Sequence, residues 1–127
     1  MIVLIVEDDQ MRIGWFKDMY KDDELHFAVN VEEAKKLLQS QKFERIFLDH
    51  DLAGITFEDS DKETTGAAVV RFMVEKGLQK QADIVVHSNN PAGAHYMYGM
   101  LEQAGYQVKS VPFTYLINQI DGIMGAM

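Results

Sequence analysis

Carboxylates gather where apolar runs stop. The run Ile2-Val3-Leu4-Ile5-Val6 closes on Glu7-Asp8-Asp9, and Ile46-Phe47-Leu48 closes on Asp49-His50-Asp51. A third run, Ile84-Val85-Val86, closes on His87-Ser88-Asn89-Asn90. If these runs are neighbouring parallel strands, their polar ends share one rim. Open α/β sheets take ligands outside the carboxyl ends of their strands. Several carboxylates in one place repel, so they call for solvent, protons or a cation. Magnesium prefers oxygen ligands and engages phosphate while keeping some of its water. Glu7, Asp8 and Asp49 are therefore expected to hold Mg2+ or another divalent cation beside a phosphoryl group, with Glu7 bound directly or through water. Asp9 is expected to cap the helix that follows, or to orient a metal-bound water.

The polar run at the third strand adds other chemistry. Imidazole exchanges protons near neutral pH. His87 is thus a candidate to activate water or to protonate a leaving oxygen. Ser88 and Asn89 are placed to bind phosphoryl oxygens. Asn90 before Pro91 reads as an N-cap and first helical turn, where amide groups can meet an anion. His50 is a further catalytic candidate, although strand alternation points it away from Asp49 unless the chain has already turned. His26 and His95 are expected at the surface or in packing. No phosphate loop ending in Lys-Ser or Lys-Thr is present.

These groups need elements to hold them. Residues 2–6 read as a strand buried on both faces. Met11, Trp15, Phe16 and Met19 recur at helical spacing, and Leu25, Phe27 and Val29 alternate as in a half-exposed strand. Asn30 with Glu33 makes a capping box before the stripe Val31, Ala34, Leu37, Leu38. A strand over 45–49 leads into a polar connection over 51–65, rich in Gly54, Asp59, Ser60, Asp61, Lys62, Thr64 and Thr65. That length asks for a functional explanation. Thr65 is expected to cap a helix over 66–76 that Gly77 stops. A strand over 83–88 follows, then a helix carrying Met97, Met100, Leu101 and Ala104 that Gly105 ends. Tyr106 to Val111 forms the fifth strand, and Pro112 breaks it. Leu116, Ile117 and Ile120 support a last helix. Strand–helix alternation of this kind implies a parallel sheet with right-handed crossovers.

Composition narrows the setting. A chain of 127 residues, 47% hydrophobic and 25% charged, fits one domain over 1–127 with a real core. The absence of cysteine excludes disulfides, thiolate catalysis and sulfur-ligated zinc. The formal charge of -8 repels nucleic acid backbones in general, though not a terminus held through a metal. No apolar stretch approaches the roughly 20 residues of a membrane span. The start Met-Ile-Val-Leu carries no basic segment, so no signal peptide and a cytoplasmic location are expected.

Taken together, these motifs resemble the response-regulator receiver domain over nearly the whole chain. Glu7 and Asp8 match that family's acidic pair, and Asp49 matches its phosphoacceptor. Ser88 matches the Ser or Thr ending the fourth strand, and Val111-Pro112-Phe113 stands where the family has Lys-Pro-Phe. The resemblance implies a flavodoxin-like three-layer sandwich with a five-stranded sheet in order 2-1-3-4-5. It implies magnesium bound with help from the backbone carbonyl of Asp51. Val111 departs most, because it offers no positive charge to a phosphoryl group. Lys109 lies on the same strand face and is the candidate substitute, starting roughly 6–7 Å farther back.

The signatures Asp49-His50-Asp51 and His87-Ser88-Asn89-Asn90 resemble a divergent receiver branch proposed to process cyclic phosphates. That resemblance implies a domain that binds or hydrolyses a cyclic phosphate, as a small molecule or a nucleic acid terminus. Two other readings stand beside it. One is a signalling receiver phosphorylated on Asp49, whose fourth helix, fifth strand and fifth helix face a protein partner. The other is a non-catalytic adaptor.

Overall fold

The computed structural model describes residues 1–52 and 59–118. Strands β1 (Ile2–Val6), β2 (Glu24–Ala28), β3 (Arg45–Leu48), β4 (Asp83–Val86) and β5 (Gln107–Ser110) form one parallel sheet in order β2-β1-β3-β4-β5. Helices α1 (Gln10–Met19), α2 (Val31–Ser40), α3 (Gly66–Lys76) and α4 (Pro91–Gln103) connect the strands. Residues 113–118 are also helical; Ile120 and Gly54 lie outside the described residues. This is the three-layer sandwich and strand order that the sequence leads one to expect. Among the described residues no helix is long and apolar enough to cross a membrane.

Alternation along the strands divides the core in two. Leu4, Val6, Ile46, Leu48, Ile84 and Val86 meet apolar residues of α2, α3 and α4 on one face. Val3, Ile5, Phe47 and Val85 meet Phe16 of α1, with Phe113 and Leu116, on the other. Both faces of β1 are thus covered, as a strand with no polar position requires. Burying side chains such as Phe16 or Leu48 contributes roughly 1.5–3 kcal/mol each.

Helix starts follow the sequence closely, with one exception. Asp9 Oδ1 accepts from Arg12 N at 3.0 Å, Asn30 Oδ1 from Glu33 N at 2.9 Å, and Asn90 Oδ1 from Gly93 N at 3.1 Å. Glu33 reaches back one residue past the N-cap and accepts from Val29 N at 3.1 Å. Thr65 occupies the N-cap position of α3, but its hydroxyl donates to Lys62 O and no side chain caps that helix. Backbone groups do so instead: Gly66 N donates to His50 O at 2.7 Å and Ala68 N to Thr65 O at 3.0 Å. Tyr106, expected in the fifth strand, lies just before β5 with its hydroxyl against the carbonyls of Met73 and Leu78.

The Gly66–His50 bond brings the start of α3 against the end of β3. A Cβ on Gly66 would stand 1.9 Å from the Asp49 carbonyl oxygen, which is backbone and cannot rotate away. Gly66→Ala should therefore cost more than an ordinary overpacked core position, which loses about 1–3 kcal/mol. Chemical denaturation of parent and variant measures this. A loss below 1 kcal/mol would show that the two segments do not press together.

Candidate functional site

The strand register places the rim residues in one row. Val6 pairs with Leu48, Leu48 with Val86, and Val86 with Ser110. The next rung holds Glu7, Asp49, His87 and Val111. Each is tied by its N–H to the neighbouring strand: Glu7 to Ala28 O, Asp49 to Val6 O, His87 to Leu48 O and Val111 to Val86 O, at 2.8–3.0 Å. The strands expected over 45–49 and 83–88 stop earlier because the chain turns away beyond this last bond. Alternation from Ile5, Phe47 and Val85 sends the Glu7, Asp49 and His87 side chains to the α1 face.

All three side chains are buried, and one ligand atom from each lies within 4.8 Å of the others. His87 Nε2 is 2.9 Å from Glu7 Oε1. Glu7 Oε2 accepts from the Asp8 and Asp9 N–H groups at 3.1 and 3.2 Å. Asp49 Oδ1 accepts from His50 N at 2.9 Å. Arg12 reaches over the pair, with Nη1 3.5 Å from both Glu7 Oε1 and Asp49 Oδ2. So many donors around Glu7 favour its role as acceptor, with the His87 proton on Nε2. His87 Nδ1 is then a buried lone pair without a partner. Phe16, Phe47 and Phe113 surround the imidazole edge-on, with centroids 5.4–6.3 Å away.

Burial sets the proton affinities. It pushes Asp49 up from 3.8 to about 7, with His87 and Arg12 opposing and Glu7 reinforcing the shift. Burial also raises Glu7, against the hydrogen bond from Asp9 and the charge of Arg12. The two neighbouring carboxyls shift each other in opposite directions, Glu7 raising Asp49 and Asp49 lowering Glu7. His87 is pushed down from 6.5 to about 4 by burial, despite the pull of Asp49. The proton exchanger matched to neutral pH is consequently Asp49, while His87 stays uncharged.

The other expected residues fall into separate groups. Asp8 is half-buried beside Glu7 and outside the three-residue cluster. Ser88 is buried, and its Oγ accepts from Asn90 N at 3.0 Å. With exposed Asn89 it lines a small hollow against Tyr98 and Ser110. Lys109 is exposed and pairs with Val85, two rungs behind the Asp49 row. His26 pairs with Glu24 near the surface and His95 is exposed, as expected.

His50 does point away from Asp49, towards α4. Its Nδ1 lies 2.8 Å from Asp51 Oδ1 and its Nε2 2.9 Å from Ser60 Oγ. Asn90 Nδ2 donates to the same Asp51 oxygen at 3.3 Å. The ring rests on Gly93, where a Cβ would come within 2.4 Å of it. Asp51 thus turns its carboxylate to this cluster, and His50 fastens the connection after β3 to the first turn of α4. Its link to the acid row is its backbone N–H.

Arg12 was not among the sequence candidates. A signal existed: Asp9 caps α1, so the residue three positions on belongs to the first turn, above the strand ends. For a divalent cation the donor set fits. Two adjacent carboxylates suit Mg2+ or Mn2+, and His87, whose Nε2 donates to Glu7, holds one of those carboxylates.

The shifted groups have opposite effects on stability. Folded Asp49 keeps its proton up to about pH 7, whereas the unfolded chain releases it near 3.8, so its contribution falls as pH rises between these values. Folded His87 refuses a proton down to about pH 4, so its contribution falls as pH drops below 6.5. Asp49→Asn keeps an acceptor for the His50 N–H, removes the first effect and, by taking away the charge that pulls His87 up, leaves the second in place. The variant should be more stable than the parent at pH 8 by about 1–3 kcal/mol, with the gain shrinking towards pH 5. Thermal unfolding at the two pH values measures it; a difference independent of pH would contradict the assigned Asp49 proton.

The fold and site now have known counterparts. The family described as the cyclic-phosphate processing receiver domain matches residues 2–103. No curated protein matches. Among solved structures, a Burkholderia pseudomallei response regulator with a phosphorylated aspartic acid, calcium ion and citrate is 19% identical, with a TM-score of 0.64 over 87% of this chain and 58% of its own. This chain therefore spans little more than half of that protein. A CheY-like response-regulator receiver domain from Methylobacillus flagellatus is 17% identical, with a TM-score of 0.64 over 99% and 97% of the two chains. The response regulator TrrA from Thermotoga maritima, in complex with Mg2+ and BeF, is 26% identical, with a TM-score of 0.58 over 95% and 96%. With the sheet order, the acid row and the matched span in agreement, this chain belongs to the cyclic-phosphate processing receiver domain family.

Proposed function

We propose that this domain binds a cyclic phosphate ester at the acid row and hydrolyses it to a monoester, with a divalent cation held by Glu7 and Asp49. Asp8, directly or through water, and the Asp51 carbonyl complete the cation's donors. The observation that carries this reading is the buried row of Glu7, Asp49 and His87, whose clustered carboxylates form a donor set for a hard ion. In the reaction, a water oxygen bonds to phosphorus, one ring P–O bond breaks, and the freed ester oxygen takes up a proton. Asp49 accepts the proton of the water. His87 donates through Nε2 to Glu7 and holds it as an acceptor. Ser88 and Asn89 offer polar groups near the start of α4 to the phosphate oxygens, Asn90 supports them by capping α4 and holding Asp51, and Lys109 contributes only at long range. A divalent cation, when bound, supplies neutralisation of the charge developing on those oxygens. The charge of -8 favours a small ligand or a nucleic acid terminus over a duplex.

Phosphorylation of Asp49 is a second reading, and Arg12 favours it by bringing a cation to Asp49 although Val111 brings none. Its output surface would be α4, β5 and residues 113–118. Incubation with a small-molecule phosphoryl donor, followed by intact-mass measurement, separates the two. An adduct lost in Asp49→Asn, without ester turnover, would select this reading.

For hydrolysis, cyclic nucleotides and oligonucleotides ending in a cyclic phosphate should be screened with Mg2+ and Mn2+. Turnover should require the divalent cation and disappear when it is chelated. It should fall by roughly 10²–10⁴ in Asp49→Asn, the usual contribution of a positioned base. Turnover indifferent to both changes would remove Asp49 from the mechanism.

A further inference from the structure

Arg12 stands at the opening of the acid row. Its side chain is 27% exposed, whereas those of Glu7 and Asp49 are 0% and 4% exposed. The guanidinium is therefore the group between solvent and the two carboxylates. Its root is fixed, because Arg12 N donates to Asp9 Oδ1 in the first turn of α1. Its end is held more loosely. Both ion contacts are 3.5 Å, well beyond the 2.7–2.9 Å of a charge-assisted hydrogen bond. The planar group also lies over Phe113, with its carbon 5.2 Å from the ring centroid. That face contact gives a freed guanidinium a surface to slide along.

The same carboxylate atoms are wanted by two cations. Nη1 faces Glu7 Oε1 and Asp49 Oδ2, and these residues also make two-thirds of the only three-residue donor cluster among the described residues. A divalent ion on that pair would stand a few ångströms from a full positive charge. One of them must leave.

We propose that Arg12 is a tethered counter-cation that occupies the Glu7–Asp49 pair until a divalent ion displaces it, and that the displaced guanidinium then binds the phosphoryl oxygens of the ligand. Val111, on the same rung, leaves β5 without a cation there, and Arg12 supplies one from α1. A guanidinium offers planar, paired donors to phosphate, so the site favours an anion with two oxygens free to face it. The phosphoryl half of this inference rests on the proposed phosphate chemistry; the displacement half does not.

Calorimetric titration of the whole chain tests both halves without turnover. Mg2+ is titrated first into the parent, Arg12→Ala, Arg12→Gln and Arg12→Lys. Inorganic phosphate is then titrated in saturating Mg2+. Loss of the competing charge should tighten Mg2+ binding by about tenfold in Arg12→Ala and Arg12→Gln. The same variants should bind phosphate about tenfold more weakly, whereas Arg12→Lys should match the parent towards Mg2+ but recover phosphate binding only in part, having a charge without the paired donors. Near-UV circular dichroism checks that each variant is folded, and Arg12→Gln keeps most of the side chain's packing should Arg12→Ala unfold. Equal or weaker Mg2+ binding in a folded variant would overturn the displacement, as would a parent and variants that all bind no Mg2+. Tighter Mg2+ with unchanged phosphate affinity would overturn the phosphoryl role. Failure of cyclic-ester hydrolysis alone would leave these affinities as predicted and would count only against the proposed reaction.

Discussion

Two carboxyl groups lie side by side out of water, and the rim is organised around that fact. Desolvation of Glu7 and Asp49 would be costly if both stayed charged and unaccompanied. Several partners divide the burden. Backbone N–H groups of Asp8, Asp9 and His50 donate to the carboxylates, His87 donates to Glu7, and Arg12 spans both. A proton on Asp49 removes much of the remaining charge. The sheet supplies geometry for this arrangement: four N–H groups fix one rung, and parity sends its side chains to one face. Gly66, without a side chain, lets α3 close against the far side of Asp49.

The two faces of the sheet carry different burdens. On the α1 side, aromatic rings enclose an imidazole and a pair of acids. On the α3 and α4 side, His50, Asp51, Ser60 and Asn90 knit the connection after β3 to the start of α4. The adjacent residues Asp49 and His50 therefore serve different purposes although they stand together in the sequence. Removing the His50 ring would loosen a fastening, whereas removing the Asp49 carboxyl would change the charge of the row.

Much of this was legible because the signals were periodic. Apolar runs of three to five residues, each closed by acids or His-Ser-Asn, fixed strand ends, and alternation correctly turned His50 away. The capping residues Asp9, Asn30 and Asn90 announced three helices through short-range hydrogen bonds. What escaped depended on contacts across the fold. Burial moved the neutral-pH proton from His87 to Asp49, and no local pattern reports burial. The bond from Asn90 N to Ser88 Oγ had no local signal. Thr65 sat at the right position but lost its capping role to backbone groups. Arg12 resembles any surface arginine until α1 is laid across the rim. Gln79, buried at a positive φ of 62° and bonded to Phe43 N, Leu38 O and Gln41 O, gave no sequence signal either.

The contact between Arg12 and Phe113 has an optical consequence. Phe113 also meets Trp15 edge-on, with ring centroids 5.2 Å apart, and Trp15 is the only tryptophan in the chain. The guanidinium, the phenyl ring and the indole form a continuous line from the acid row to the surface of α1. Any shift of the guanidinium alters the electric field and packing at the one strongly emitting fluorophore. The chain thus carries an intrinsic reporter of the charge state of its own rim, readable without a label or a mutation.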